Sequence, residues 1–408
     1  MSIFFKIAWR NILRNKRRSA ITISAVSFGL AAVIFLWSFV DGFQNQMEES
    51  IKSIITGDIQ IYPQGAEGLY NVNLLLENPE EVRQAIQQTP KITKKVERVL
   101  ASGIISSANN SLMTFVGGMD PAQEKIFNPK DLIVKGRMLQ EGDEHGTIIG
   151  APMAKQLKVE IGDKIVLVLQ DRFGSLVGES FRIVGLFETG SDQIDNSTVD
   201  VLMPVLQRLL SAENQVTKIL LRTQEGVSVD KVIAELKSKL NPDHYKISPW
   251  GDIAPMLSQL VEFQQRMIFI VVVIVLSILG TGVLNTLMMS YIERIREFGL
   301  MKALGTKDRQ VSLLLIFETI WLTFMGSVLG LGLGLGVSFF FSKQGINLSQ
   351  FGETFSNFLI GTTIYPKIYW DHVGTAILVV LCANLLAALY PAWKASKLEP
   401  MEAMRQAG

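Results

Sequence analysis

The chain has 408 residues, 48% of them hydrophobic and only 19% charged, with a formal net charge of +1 and a mean hydropathy of +0.28. That balance is more apolar than a soluble domain's, and the near-neutral charge excludes a nucleic-acid binder, whose phosphate contacts need a basic excess. The single cysteine, Cys382, allows no intrachain disulfide and no cysteine cluster, and His145, His244 and His372 are too scattered for a ligand set, so no metal site is expected.

The first element is a basic amphipathic helix. At 100° per residue, Lys6, Arg10, Arg14 and Arg17 share one stripe and Ile3, Phe4, Ile7, Ala8 and Ile12 the other, the pattern of a helix lying in the headgroup layer. Anionic lipid would hold such a stripe at about 1 kcal/mol per charge; a basic patch serving only topology is an equal reading. Four apolar runs follow, at about Ala20–Val40, Met267–Ile292, Val311–Phe341 and His372–Tyr390, each close to or beyond the roughly 20 residues that span a bilayer. No small-x-small cleavage site follows Trp37 to Asp41, so the first run is expected to be an uncleaved anchor.

Orientation follows from lysine and arginine beside the spans. Lys6, Arg10, Arg14, Lys16, Arg17 and Arg18 precede the first; Arg294, Arg296, Lys302, Lys307 and Arg309 follow the second; Lys394, Lys397 and Arg405 lie in the tail. Both termini are therefore expected on the cytoplasmic side. The expected fold is an α-helical membrane protein with four transmembrane helices, one plus three, and a large α/β extracytoplasmic domain inserted between helices 1 and 2. Its divisions are residues 1–44, 45–265 and 266–408, the last carrying a short charged helix near 293–305.

Within the external domain, Asp58–Tyr62 reads as a strand and Pro79–Gln88, after Asn78, as a capped helix. Lys164–Gln170, Ser180–Phe187 and Val199–Met203 read as strands, with a hairpin turn at Gly174–Gly178. Lys218–Arg222, Ser228–Leu240 and Tyr245–Ile247 repeat the order strand, helix, strand. The expected arrangement is a split α/β module built from both ends of this segment, with a β-rich insertion near 121–214.

The chain contains no G-x-S-x-G, H-E-x-x-H or paired histidines, and no G-x-x-x-x-G-K-[ST], so neither a hydrolase site nor a P-loop is expected in it. Gly326, Gly330, Gly332, Gly334 and Gly336 sit inside an apolar span, where close helix packing of the small-xxx-small type explains them better than a dinucleotide loop. Glu318, some two turns into the third span, costs about 2.5 kcal/mol or more unless it faces protein or water; a hydrogen-bonded structural role is preferred to proton coupling. Asn285 and Asn384 are expected to be interhelical hydrogen-bond partners.

Two segments carry a family resemblance. Glu293-Arg294-Ile295-Arg296-Glu297-Phe298-Gly299-Leu300-Met301-Lys302-Ala303-Leu304-Gly305 resembles the E-R-x-R-E-x-G-x-x-[KR]-A-[LI]-G signature of ABC permeases of the macrolide-exporter, lipoprotein-releasing and FtsX-like superfamily. The tail from Pro391-Ala392-Trp393-Lys394 to Glu402-Ala403-Met404-Arg405 is similar to the P-A-x-x-A-[SA]-[KR]-x-x-P-x-E-A-[LM]-R ending of that family. The resemblance implies a permease without its own nucleotide site, and hence not itself an enzyme. It would work with a homodimer of a separate ABC ATPase that binds ATP and Mg, and with a second permease copy or homologue. Glu293, Arg294, Glu297, Gly299, Lys302 and Gly305 would form the docking element, the charges gripping the ATPase and Gly305 ending the helix.

Thr56 to Gly65 and the block from Gly136 to Asp163 look more like lipoprotein-releasing permeases than macrolide exporters. That implies a bacterial inner-membrane protein handing lipoproteins to a periplasmic carrier, for which the turn at Gln170, Asp171, Arg172, Phe173 and Gly174 is a candidate contact. A tripartite exporter of the MacB type working by mechanotransmission, and an FtsX-like regulator of a cell-wall hydrolase, remain alternatives.

Overall fold

The computed structural model describes residues 2–66, 74–76, 78–128, 132–348, 350 and 363–399. Its contacts divide the chain into a helical unit of residues 1–45, 262–347 and 363–408 and an α/β unit of residues 46–261 with 348–362. The expected tail motif beyond Glu399 lies outside the described residues.

Helix α1 (Ser2–Arg14) turns at Asn15 into α2 (Lys16–Ile51), which runs on through a π-helical turn at Lys52–Thr56. The α/β unit then contributes, in chain order, β1 (Ile59–Pro63), α3 (Pro79–Gln87), β2 (Ile92–Ser106), β3 (Ser111–Met119), α4 (Pro121–Phe127), β4 (Ile133–Gly136) and β5 (Gly146–Gly150). It continues with α5 (Ala151–Leu157), β6 (Lys164–Gln170), β7 (Leu176–Phe187), α6 (Asp192–Asp195), β8 (Thr198–Leu202), α7 (Met203–Leu209), β9 (Lys218–Thr223), α8 (Val229–Lys237), β10 (Tyr245–Pro249) and α9 (Trp250–Ile253). The strands order as β10-β1-β9-β2-β3-β8-β5-β7-β4, with β6 bridging β2 and β7.

Strand β2 is the joint of this unit. Residues 92–98 pair with β9, on the side built from both ends of the segment, and residues 99–106 pair with β3 and β6 in the insertion. The insertion therefore begins within β2, earlier than residue 121. The charges in Lys94-Lys95-Val96-Glu97-Arg98 hid this strand, because an alternating apolar pattern is what marks one. Two of them are buried or nearly so and satisfied from helices: Arg83 of α3 reaches Glu97 at 2.7 and 2.9 Å, and Glu124 of α4 accepts from Arg98 at 2.8 and 3.0 Å. Two further boundaries differ from expectation. The β6–β7 turn spans residues 171–175, with Gly178 already in strand, and Met203 opens α7 because Pro204 favours a first helical turn.

The helical unit is completed by α10 (Pro255–Glu293), α11 (Ile295–Ala303), α12 (Asp308–Gln344), the strand pair β11 (Ile346–Asn347) and β12 (Thr363–Ile364), and α13 (Trp370–Ser396). Among the described residues, four helices (α2 with its π turn, α10, α12 and α13) are long and apolar enough to cross a membrane. Val26, Leu30 and Ile34 of α2 share a core with Leu276 and Val283 of α10 and Val380 of α13, while Ile274, Ile278, Leu333, Phe340 and Leu386 face outward, as lipid permits.

The glycine row of α12 splits in two. A Cβ on Gly330 would lie 2.7 Å from the Ser27 carbonyl oxygen, and Gly326 and Gly334 are pressed as closely on Val26 and Ala31, whereas Gly332 and Gly336 meet nothing within 4 Å. Glycines four apart thus let α12 lie against α2. Gly330→Leu is expected to destabilise the helical unit by about 1–3 kcal/mol, read as a lower melting temperature, while Gly332→Leu leaves it unchanged; equal effects would contradict the packing.

A buried charge cluster and the short helix it holds

Helix α11 is short because Arg294, at its N-cap, takes a non-helical conformation, and Gly305, with φ +93°, ends it in backbone that a side chain disfavours. Its inner face buries Phe298 and Gly299, Phe298 joining Ala8, Tyr291, Leu314, Ala392 and Ala395 in a core. At the edge of this core lies a chain of ion pairs. Glu318 of α12, 2% exposed, accepts from Arg294 at 3.0 Å and from Arg18 of α2 at 3.5 Å. Arg294 also reaches Glu297 at 2.9 Å, Arg18 reaches Glu293 at 3.0 Å, and Arg14 of α1 caps the series on Glu297.

Burial alone would raise the Glu297 carboxyl's pKa, but hydrogen bonds and charge from Arg294 and Arg14 outweigh it and hold the group below the ordinary carboxylate value. Across α11, Lys302 donates to the Ser396 and Leu398 carbonyls at 2.8 and 2.7 Å and pairs with Asp308 at 2.9 Å. One nine-residue helix and its N-cap are thereby tied to α1, α12 and the end of α13, and through Glu318 to Arg18 of α2.

This alters the expected division of labour. Arg294, Gly299 and Lys302 are turned inward and used up by the chain's own groups, so they do not form the gripping surface expected of them. Glu293 and Glu297 are exposed but paired. The free face of α11 is instead Arg296, Leu300, Ala303 and Leu304, with Gly305 beyond; Leu300 is 57% and Leu304 80% exposed. Glu318 makes buried ion pairs, whereas Asn285 is exposed on α10 with no hydrogen bond among the described residues, and the amide nitrogen of Asn384 is buried without an acceptor. Among the described residues, neither asparagine joins two helices. The missed members, Arg14 and Arg18, left a signal: two arginines four apart match two glutamates four apart, Glu293 and Glu297, in antiparallel order.

The second candidate patch is the β6–β7 turn. The Asp171 carboxylate accepts from the backbone of Phe173 and Ser175 at 2.9 and 2.8 Å, Gln170 donates to the Gly174 carbonyl at 3.1 Å, and Gly174 takes φ +87°. This rigid turn presents Phe173, with Arg172 5.2 Å from its ring centre, beside Leu176. Both apolar side chains are more than 70% exposed.

Residues 19–239 match the MacB-like periplasmic core domain family, and residues 267–400 match the FtsX-like permease C-terminal family. The chain belongs to the FtsX-like ABC transporter permeases, with a MacB-like periplasmic core domain. Members of this family work with ABC ATPases.

An uncharacterized ABC transporter permease of Methanocaldococcus jannaschii is 23% identical over 98% of this permease and 96% of its own length. The lipoprotein-releasing system transmembrane protein LolC of Neisseria meningitidis is 22% identical over 98% of both chains. The macrolide export ATP-binding/permease protein MacB of Bdellovibrio bacteriovorus is 23% identical over 97% of this chain but only 60% of its own. Among solved structures, the periplasmic region of MacB from Actinobacillus actinomycetemcomitans superimposes with a TM-score of 0.37 at 15% identity, covering 52% of this chain and 97% of that one.

The buried pair in this FtsX-like permease sets a clear expectation. Glu318→Ala leaves the buried Arg294 guanidinium with the exposed Glu297 as its remaining carboxylate and is expected to cost about 3–5 kcal/mol, while Arg294→Met combined with Glu318→Leu recovers most of it. Thermal melting of the purified protein measures both, and a Glu318→Ala protein that melts with the parent would refute the cluster's structural weight.

Proposed function

We propose that this permease couples ATP hydrolysis on a separate ABC ATPase homodimer to extraction of lipoproteins from a bacterial inner membrane and their release to a carrier on the far side. It pairs with a second permease, a copy or a homologue. ATP and Mg reside on the ATPase, and this chain carries no cofactor of its own. The distribution of lysine and arginine supports α11 and both termini on the cytoplasmic side.

The lipoprotein reading is supported by the similarity to LolC of Neisseria meningitidis, 22% identical, and to LolE of Haemophilus influenzae, 19% identical, together with the likeness of Thr56 to Gly65 and of Gly136 to Asp163 to lipoprotein-releasing permeases. The match of residues 19–239 to the MacB-like core favours, as a second reading, an exporter driven by the same mechanical stroke.

The stroke has a physical route. The ATPase contacts the free face of α11 through Leu300 and Leu304, apolar anchors of the kind that dominate interfaces. Displacing α11 pulls on Glu318 and Arg18, and so on the base of α2. The far end of α2 is held just as firmly within the α/β unit: Glu49 accepts from Arg222 at 2.7 Å, Arg222 also pairs with Asp58 at 3.2 Å, and Lys52 pairs with Asp58 at 3.3 Å. The Phe173–Leu176 tip is the surface offered to the carrier.

Mass spectrometry of the detergent-solubilised permease, purified with its ATPase while hydrolysis is blocked, tests the proposal. The expected result is ATPase plus acylated lipoprotein, with the ATPase lost from a Leu300→Asp/Leu304→Asp variant that still folds. An adaptor protein with no lipoprotein would replace this reading with the exporter, and ATPase retained by the variant would remove the docking face.

A further inference from the structure

One face of the α/β sheet is built unlike a core. Residues directly opposite in register share a face, so Leu100 on β2, Gly117 on β3, Asp200 on β8 and Ile148 on β5 form a row. Two residues back along β2, Arg98 lies opposite Lys218 of β9. Three of these six positions are ionisable, where a core would place branched apolar side chains, and a fourth is glycine. A Cβ on Gly117 would run into the Asp200 carboxylate, so the missing side chain gives the face its depth. Ile54 and Ile55 of the π turn, α4, and the segment at Met138 and Leu139 stand over this face without filling it. They leave a cavity of about 530 Å³, within the range of small-molecule sites.

The charges around the cavity are unequally satisfied. Arg98 is well partnered: its Nε and Nη2 lie on Glu124, and its Nη1 donates to the Ile54 carbonyl at 2.6 Å. Lys218 is 7% exposed, lines the cavity, faces the like charge of Arg98, and has no acceptor or counter-ion among the described residues. The Asp200 carboxylate also lines the cavity and has no donor among the described residues. An unpaired buried charge costs several kcal/mol, so a fold keeps one only where something compensates it. Burial, with Glu124 nearby and Arg98 only partly offsetting it, pushes Asp200 up to about 7; burial, with Arg98 nearby, draws Lys218 down to about 7.

We propose that this cavity binds a small zwitterionic amphiphile, its apolar body against Leu100, Met119, Leu139 and Phe187 and its ammonium and anionic groups against Asp200 and Lys218. The host offers one acceptor and one donor of full charge, so a singly charged amphiphile leaves one of them stranded, and a neutral one leaves both. An α-aminocarboxylate or aminophosphate head meets both. The site lies within the α/β unit and does not rest on the transport reading.

The test is calorimetric titration of 2-aminodecanoic acid into the full chain in dodecyl maltoside micelles, against decanoic acid and decylamine. The zwitterion is expected to bind at least about tenfold more tightly than either, the worth of one further charge-assisted contact. Binding should be tightest near pH 7, weakening in acid as Asp200 takes up its proton and in alkali as Lys218 loses its own. Lys218→Met keeps the volume and removes the buried charge, so the protein still folds and melts no lower, while the preference for the zwitterion disappears; Asp200→Asn removes it likewise. Displacement of the probe by dihexanoyl phosphatidylethanolamine marks a lipid as the natural source, and displacement by leucyl-phenylalanine marks a peptide. Equal binding of the three probes, an unchanged preference in Lys218→Met, or displacement by neither competitor would overturn the assignment.

Discussion

The helical unit depends on one carboxylate. Glu318 sits 2% exposed on a helix apolar enough to cross a membrane, where an uncompensated charge would not be tolerated, and two arginines from elsewhere in the sequence satisfy it. Arg294 comes from the break between α10 and α11, and Arg18 from the base of α2. Because those arginines in turn hold Glu293 and Glu297, the break after α10 is a fixed joint. The cost of burying these charges is offset by geometry: Glu293, Glu297 and Glu318 each meet at least one guanidinium, and Arg294 rests 5.0 Å from the centre of the Phe298 ring.

A joint of this kind suits a mechanical part. A helix held only by apolar packing can slide over its neighbours, whereas one held by directional ion pairs to several helices carries them with it. Lys302 adds a second tie, to the end of α13, so α11 is pinned on both flanks while Leu300 and Leu304 stay free. The glycine row of α12 does the complementary work. It brings α12 and α2 close enough for Glu318 and Arg18 to share the cluster.

Much of this could be read from the sequence. The four spans, the capped helix after Asn78, the strands at 164–170 and 218–222 and the short helix near 293–305 follow from period, caps and breakers. Buried charge is what the sequence does not show. Strand β2 carries Glu97 and Arg98 inside, each neutralised by a helix some fourteen or twenty-six residues away, and no local pattern announces that. For the same reason the family resemblance points to Arg294 and Lys302 as surface grips, because a motif gives a charge but not its partner. Asn285 shows the opposite case: a polar residue in a span reads as a partner for a neighbouring helix, and within this chain it faces outward. In the α/β unit, Asp200 and Lys218 stood in ordinary-looking strands, and only the register reveals that they share a cavity.

The central claim is that the Glu318 cluster transmits displacement of α11. The direct measurement is lipoprotein released per ATP hydrolysed, in proteoliposomes holding the permease and its ATPase, for the parent and for Arg294→Met/Glu318→Leu, which keeps the packing and removes the tie. The account predicts that the variant still binds the ATPase and hydrolyses ATP while release per ATP collapses. Release that keeps pace with hydrolysis in the variant would contradict it.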